Sequence, residues 1–319
     1  MRIFIAGGTG AVGSRLVPLF AAAGHEVTAT SRTAEGTRRI DSAGGRGVIM
    51  DGQDAASIRR AVIEAQPDVL VHQLTSLAAG FDFKRFDEVF AVTNELRTRG
   101  TDALIAAAQE AGTGRIVVQS YTGWTNPHSG SAVKTEEDPI DPDPVPAARK
   151  TLAAIAHAER ATVDAGGLAL RFGSFYGPGQ ALGAGGEMLE AVRKRQVPIV
   201  GRGGGVWSFC HIDDAAAATV AAVTRGAAGV YNIVDDDPAA VSDWLPELAR
   251  AVGAKQPLRV PAWIARTLLG EFGVAWMTTA RGSSNAKARD ALGWAPQYAS
   301  WREGFRTGLG VDPVDAPSR

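Results

Sequence analysis

Several chemistries are excluded by what this sequence has little of. Its 319 residues hold one cysteine, Cys210, which rules out an internal disulfide framework and a cysteine-rich metal site. The five histidines (His25, His72, His128, His157 and His211) do not pair at metal-ligand spacing, so no metal is expected. Charge of one sign is also missing: 33 Lys+Arg against 34 Asp+Glu gives a net charge of -1. That balance argues against nucleic acid or an anionic membrane as the main partner. No apolar run reaches the roughly 18 residues of a membrane span. The opening run at 3–6 is too short for a secretory signal. A cytoplasmic protein acting on a small molecule is the expectation. There is no Gly-x-Ser-x-Gly elbow, which disfavours a serine hydrolase. Tyrosine is scarce as well: there are four, and none lies between Thr122 and Phe175.

What is abundant is apolar and glycine residues, 45% hydrophobic with 38 Gly. Short apolar runs at 3–6, 27–30, 47–50, 69–72, 116–119 and 168–172 read as strands. Amphipathic, alanine-rich stretches at 12–23, 55–65, 95–111 and 149–165 read as helices between them. Alternation of this kind predicts βαβ units, hence a Rossmann-type doubly wound parallel sheet of the α/β class. The proline- and acid-rich segment 126–146 reads as an exposed loop or lid. Beyond residue 176 the rhythm changes, with glycine clusters at 177–186 and 201–205. A nucleotide-binding domain at 1–176 and a small C-terminal substrate-binding lobe at 177–319, with segments returning to the sheet, are expected.

Gly7-Gly8-Thr9-Gly10-Ala11-Val12-Gly13 joins the first strand to the first helix. Gly7 would make the tight turn, Gly10 let a pyrophosphate approach the backbone, and Gly13 let the helix pack on the strand. Amides at the helix N-terminus favour the phosphate charge. No acid follows the second strand; Ser31 stands where an NAD-binding carboxylate is expected, and Arg32 follows. An arginine there pairs with a 2′-phosphate, so NADP is favoured over NAD. Asp51, after the third strand, would face the adenine.

Taken together, these residues resemble the extended short-chain dehydrogenase/reductase family, the NAD(P)-dependent epimerase/dehydratases, over nearly the whole chain. Pro67-Asp68-Val69-Leu70-Val71-His72, Gly100-Thr101, the run 170–179 (LRFGSFYGPG), Phe209-Cys210-His211-Ile212-Asp213-Asp214, Val230-Tyr231-Asn232-Ile233 and Leu292-Gly293-Trp294 look like its later signatures, in order. The resemblance implies further cofactor contacts from Thr9, Ala11, Val12, Gly52, Leu74, Thr75, Gln119, Phe172 and Ser174. It also implies a homodimer.

The same resemblance exposes a departure. The family uses a Ser or Thr and then Tyr-x-x-x-Lys, in which the lysine tunes the phenol for proton exchange with a substrate oxygen. Here the expected lysine is Lys150, and the position four before it is Pro146. Tyr121, at or next to the usual Ser/Thr position, is the substitute acid, with Ser120 beside it and Lys150 on the cofactor ribose. Tyr176 and His211 read as structural, and Asp235-Asp236-Asp237 as a solvated turn. Sugar-nucleotide enzymes of the family carry an arginine where this chain has Trp207, so a more apolar pocket is expected, lined by Trp124, Met188 and Trp207. Trp263 and Trp276 are expected in the core. The leading reading is an NADP-dependent oxidoreductase acting on a small, fairly apolar carbonyl or alcohol. A cofactor-retaining epimerase, dehydratase or cyclase, and a catalytically silent NADP-binding protein, are the alternatives.

Overall fold

A computed structural model describes residues 1–76 and 82–311. Seven strands form one parallel sheet: β1 Arg2–Ala6, β2 Glu26–Ser31, β3 Arg46–Ile49, β4 Val69–His72, β5 Arg115–Tyr121, β6 Leu168–Phe172 and β7 Gly229–Ile233. Their order across the sheet is β7-β6-β5-β4-β1-β2-β3. The chain therefore reverses direction between β1 and β4, and in open α/β sheets the crevice at that point is where ligands bind.

The principal helices are α1 Gly13–Ala22, α2 Ala34–Ser42, α3 Ala55–Ala65, α4 Thr101–Glu110, α5 Arg149–Asp164, α6 Ile212–Thr224, α7 Val241–Ala251 and α8 Ala262–Thr278. Side chains alternate across a strand, and the two layers follow from that. Ile3 and Ile5 of β1 meet Leu16, Val17 and Phe20 of α1, Ile40 of α2 and the alanines of α6. Phe4 and Ala6, on the other face, meet Ile58 and Val62 of α3 and Leu104 and Ala108 of α4. Covered on both faces, β4 and β6 are buried along their whole length; they are apolar except for His72 and Arg171, both buried with partners.

The 177–311 part is not all lobe. Strand β7 and helix α6 complete the sheet, and Trp294 packs into the same core. A second core, around Tyr176, Leu189, Trp207, Phe209, Trp244, Trp301 and Phe305, belongs to the lobe. His211 is satisfied there: its Nε2 is 3.0 Å from Gly308 O, and its Nδ1 accepts from Asp213 N at the start of α6. Asp235 is no solvated turn residue. It is 2% exposed, accepts from Trp301 N at 2.8 Å, and burial holds its carboxyl well above the usual range.

One further expectation is corrected, at Trp263. Segment 126–146 is largely an exposed loop, as expected, and it is tethered at several points. Asn126 Nδ2 donates to Arg281 O, Gly282 O and Ser283 Oγ, Val133–Lys134 pairs in parallel with Gly282–Ser283, and Glu136 accepts from Asn232 N. Trp263 is 73% exposed on α8, whereas Trp276, after the bend at Gly270 (φ +70°), is half-buried and stacked on Trp207.

Candidate functional site

At the C-terminal ends of β1 and β4, the glycine loop takes its shape from three different requirements. Gly7 has φ +95°, and a Cβ there would lie 2.8 Å from Gln73 O. At Gly13 a Cβ would lie 2.1 Å from Gly7 O, so only glycine lets α1 start this close to the loop. A Cβ on Gly10 would approach nothing nearer than 3.4 Å; the room it leaves faces the crevice. Thr30 secures the loop: its Oγ1 accepts from Gly7 N at 3.0 Å and its carbonyl from Gly8 N at 2.9 Å. The amides of Thr9, Ala11 and Val12 donate to no acceptor among the described residues. Open amides at the N-terminus of a ten-residue helix suit a pyrophosphate. The Val12 side chain itself points into the core.

The crevice beside the loop is lined by Gly7, Thr9, Gly10, Ser31, Arg32, Asp51, Gly52, Leu74 and Thr75, all expected from sequence. Sequence reasoning missed Thr30, Met50, Gln53, Gln73, Val92 and Leu96. Gly52 is needed for closeness, since a Cβ would meet Leu74 and Leu96 at 2.8 and 2.9 Å. Gln73 is buried, and neither atom of its side-chain amide has a partner among the described residues. Orphaned donors and acceptors in a crevice mark a place for a polar ligand. Arg32 is exposed and makes no ion pair or hydrogen bond among the described residues, while Ser31 accepts from Thr33 N. Arg39 lines the adjoining groove with Gly8, Thr9 and Ser14. The pair Arg38-Arg39 was the signal for that second basic position. The loop, the open amides, the orphaned amide and the free guanidinium fit a dinucleotide.

At the far end, Tyr121 closes β5 and pairs in register with Phe172. Its phenol lies 3.0 Å from Ser174 Oγ, and burial pushes it up to about 12 against the lowering effect of that bond. Trp124 stands beside it, ring centres 6.0 Å apart, within an aromatic group that includes Phe86, Phe90 and Phe272. Gln119, on the same face of β5, donates to Leu74 O at 3.2 Å and so joins the two sides of the crevice. Phe172 contributes only backbone here, because its ring is buried in the sheet core.

The other expected residues are placed elsewhere. Ser120 points to the opposite face of β5 and donates to Glu159 Oε1 at 2.5 Å. Glu159 is itself held by Arg171 through bonds of 2.7 and 2.6 Å, with both side chains buried. Ser120 thus links β5 to Glu159 of α5, on the face away from the Tyr121 phenol. Lys150 is exposed in the first turn of α5. Asp87 accepts from its backbone N, and its ammonium has no partner among the described residues. The packed face of α5 carries Thr151, Ile155, Ala158 and Glu159 and no lysine. Trp207 is 4% exposed in the lobe core, donating to Trp276 O at 3.0 Å, and half-buried Met188 packs on that same core. His72, fully buried at the end of β4, accepts from Leu74 N on Nδ1. Desolvation pushes it down to about 4, so it stays neutral.

This fold and crevice define a dinucleotide-binding α/β enzyme. Comparison with known proteins makes the class specific: residues 3–234 match the NAD dependent epimerase/dehydratase family. The chain belongs to that family and is an NAD(P)-dependent oxidoreductase of its type. A 3-diazoavenalumate denitrifying reductase from Streptomyces sp is 42% identical over 308 residues, covering 96% of this chain and 99% of the relative. A UDP-glucose 4-epimerase from Thermotoga maritima shares the fold with TM-score 0.77 at 19% identity, covering 97% of each chain. A dTDP-glucose 4,6-dehydratase from Streptomyces venezuelae, solved with NAD, does so with TM-score 0.74 at 21% identity, covering 97% and 96%. No described helix is long and apolar enough to cross a membrane.

Proposed function

We propose that this chain is an NADP-dependent reductase of a small, fairly apolar carbonyl-type substrate, with Tyr121 in place of the family's usual tyrosine. The observation that carries it is the half-buried Tyr121–Ser174 pair at the crevice end of β5. A phenol raised to about 12 is a neutral donor at working pH and a poor base. Reduction needs a proton given to the substrate oxygen, and a neutral phenol can give it. When bound, the nicotinamide supplies hydride. Tyr121 gives the proton, Ser174 orients the phenol, and Trp124 keeps water from the reacting oxygen. The open amides of the glycine loop hold the pyrophosphate and Arg32 the 2′-phosphate. Absence of an acid at Ser31 removes the repulsion that would select NAD. The 42% identical Streptomyces protein, itself a reductase, supports the direction.

Cofactor binding tests the first half. NADPH should bind the wild type at least about tenfold more tightly than NADH, and Arg32→Ala should erase most of that preference. Equal or tighter binding of NADH would reject NADP. Stoichiometric loss of NADPH with a panel of apolar ketones and aldehydes tests the second half; substrate conversion without NADPH loss would indicate a cofactor-retaining reaction instead.

A further inference from the structure

A net charge of -1 conceals a local imbalance. Residues 191–211 carry four Lys and Arg, residues 251–270 carry three, and neither stretch holds an Asp or Glu. The lobe brings the two together: Ile199–Val200 pairs in parallel with Arg259–Val260, and Arg195 Nε donates to Gln256 O at 2.7 Å. Lys194, Arg202, Lys255, Arg259 and Arg266 are all exposed, and none makes an ion pair among the described residues. Two acids on adjoining helices, Glu190 and Glu247, are already held by Arg193 and Arg250.

The same rim carries unburied apolar area. Before its bend at Gly270, α8 buries only Ala265; Ala262 and Leu269 lie on that side and pack on the lobe core. Trp263, Ile264, Thr267 and Leu268 form the opposite side, because residues four apart on a helix stand next to each other. Trp263 is 73% exposed and Leu268 65%, the two most exposed large apolar side chains among the described residues. Leu258, 48% exposed, stands just before the strand that leads into the helix. Exposed apolar area gathered on one helix marks an interaction surface.

Charge decides what covers it. A second copy of this chain docked about a two-fold axis would set the unpaired cations against themselves, and like charges face to face oppose binding. The occupant must be anionic. It must also accept a tryptophan that projects outward, which a deformable bilayer does without a matching pocket. A helix with Trp and Leu outermost and Lys and Arg at its flanks has the composition of one that lies in a membrane interface. The ring sits at headgroup depth, and the long basic side chains reach the headgroups.

We propose that this rim of the lobe docks on an anionic phospholipid surface. Trp263, Leu268 and Leu258 enter the interface, and the five unpaired cations meet the headgroup charges. The balanced charge of the whole chain does not report this patch, because the compensating acids lie elsewhere.

Vesicle flotation tests it, with phosphatidylcholine alone and with about a third phosphatidylserine. The wild type should bind the mixed vesicles at least about tenfold better, and about 0.5 M salt should remove most of that binding. The triple variant Lys255→Gln, Arg259→Gln, Arg266→Gln should lose at least about tenfold. Trp263→Ala with Leu268→Ala should lose at least about fivefold with its charge unchanged, which separates insertion from adsorption by charge alone. The tryptophan emission should shift to the blue on adding mixed vesicles, and Trp263→Phe should remove the shift. All these side chains are exposed, so every variant should melt within a few degrees of wild type. Binding to neither vesicle, equal binding to both, or binding that survives Trp263→Ala with Leu268→Ala would overturn the proposal. Capture of poly-glutamate without vesicle binding would also overturn it and assign the patch to an acidic protein.

Discussion

In the proposed reaction Tyr121 is the proton donor. A positioned proton donor contributes roughly 10²–10⁴ in rate, so Tyr121→Phe should lower kcat for reduction by at least about tenfold while leaving cofactor affinity unchanged. Ser174→Ala should cost less, because it removes only the hydroxyl that orients the phenol. The pH profile follows from the same burial. With the folded phenol raised to about 12, the donor form persists through neutral and moderately alkaline pH, and activity due to Tyr121 is lost only as pH approaches that value. A wild-type profile that falls between about pH 7 and 9 and that Tyr121→Phe flattens would show a lowered phenol and contradict the raised value, while a fall there that Tyr121→Phe leaves in place would belong to another group. At this scale the sequence is informative by omission: with no tyrosine between Thr122 and Phe175, Tyr121 is the phenol it leaves beside the usual Ser/Thr position. It could not show which way neighbouring side chains point. Ser120 and Tyr121 are adjacent, yet period-two alternation sends one to Glu159 and the other to Ser174.

Elements were more legible than residues where they are apolar. The runs at 69–72 and 168–172 coincide with β4 and β6, since parallel strands buried on both faces are mostly hydrophobic, here with only His72 and Arg171 as exceptions. Helix α2 was missed because it is short and mostly polar, with only Gly36 and Ile40 buried. The stretch 95–111 reads as one helix, whereas the structure inserts the π-helical turn before α4, a distortion with no signature in apolar spacing. Between elements, the buried Ser120–Glu159–Arg171 group ties α5 to β5 and β6. Removing the carboxylate strands Arg171 in the interior, so Glu159→Gln should lower stability by about 3–5 kcal/mol. Ser120→Ala should lower it by only about 1 kcal/mol and leave kcat within about threefold of wild type. Denaturant unfolding measured beside turnover separates the two roles of Ser120: a hundredfold drop in kcat at unchanged stability would return it to the catalytic group.

For the whole molecule, the break in rhythm after residue 176 reads from sequence as the end of a domain, but cooperativity does not divide there. Strand β7 hydrogen-bonds along all of β6, from Gly229↔Leu168 to Ile233↔Phe172. Helix α6 covers the sheet face on which Val117, Leu168 and Leu170 lie, and α1 packs beside it. A fragment ending at 176 would leave β6 as an open, largely apolar edge and expose that face to water. Long apolar edges template association rather than solubility. The lobe would lose as much, because Tyr176, at 0% exposure, stands in its core against Phe209 and Phe305. The full chain should therefore unfold in one transition by circular dichroism and by tryptophan fluorescence alike. Residues 1–176 expressed alone should aggregate or lack a cooperative melt, and adding NADPH should not rescue them. A soluble fragment with a sharp melt and wild-type NADPH affinity would show that the sheet closes without β7 and α6. The C-terminal half would then be an appended lobe rather than part of the cofactor domain.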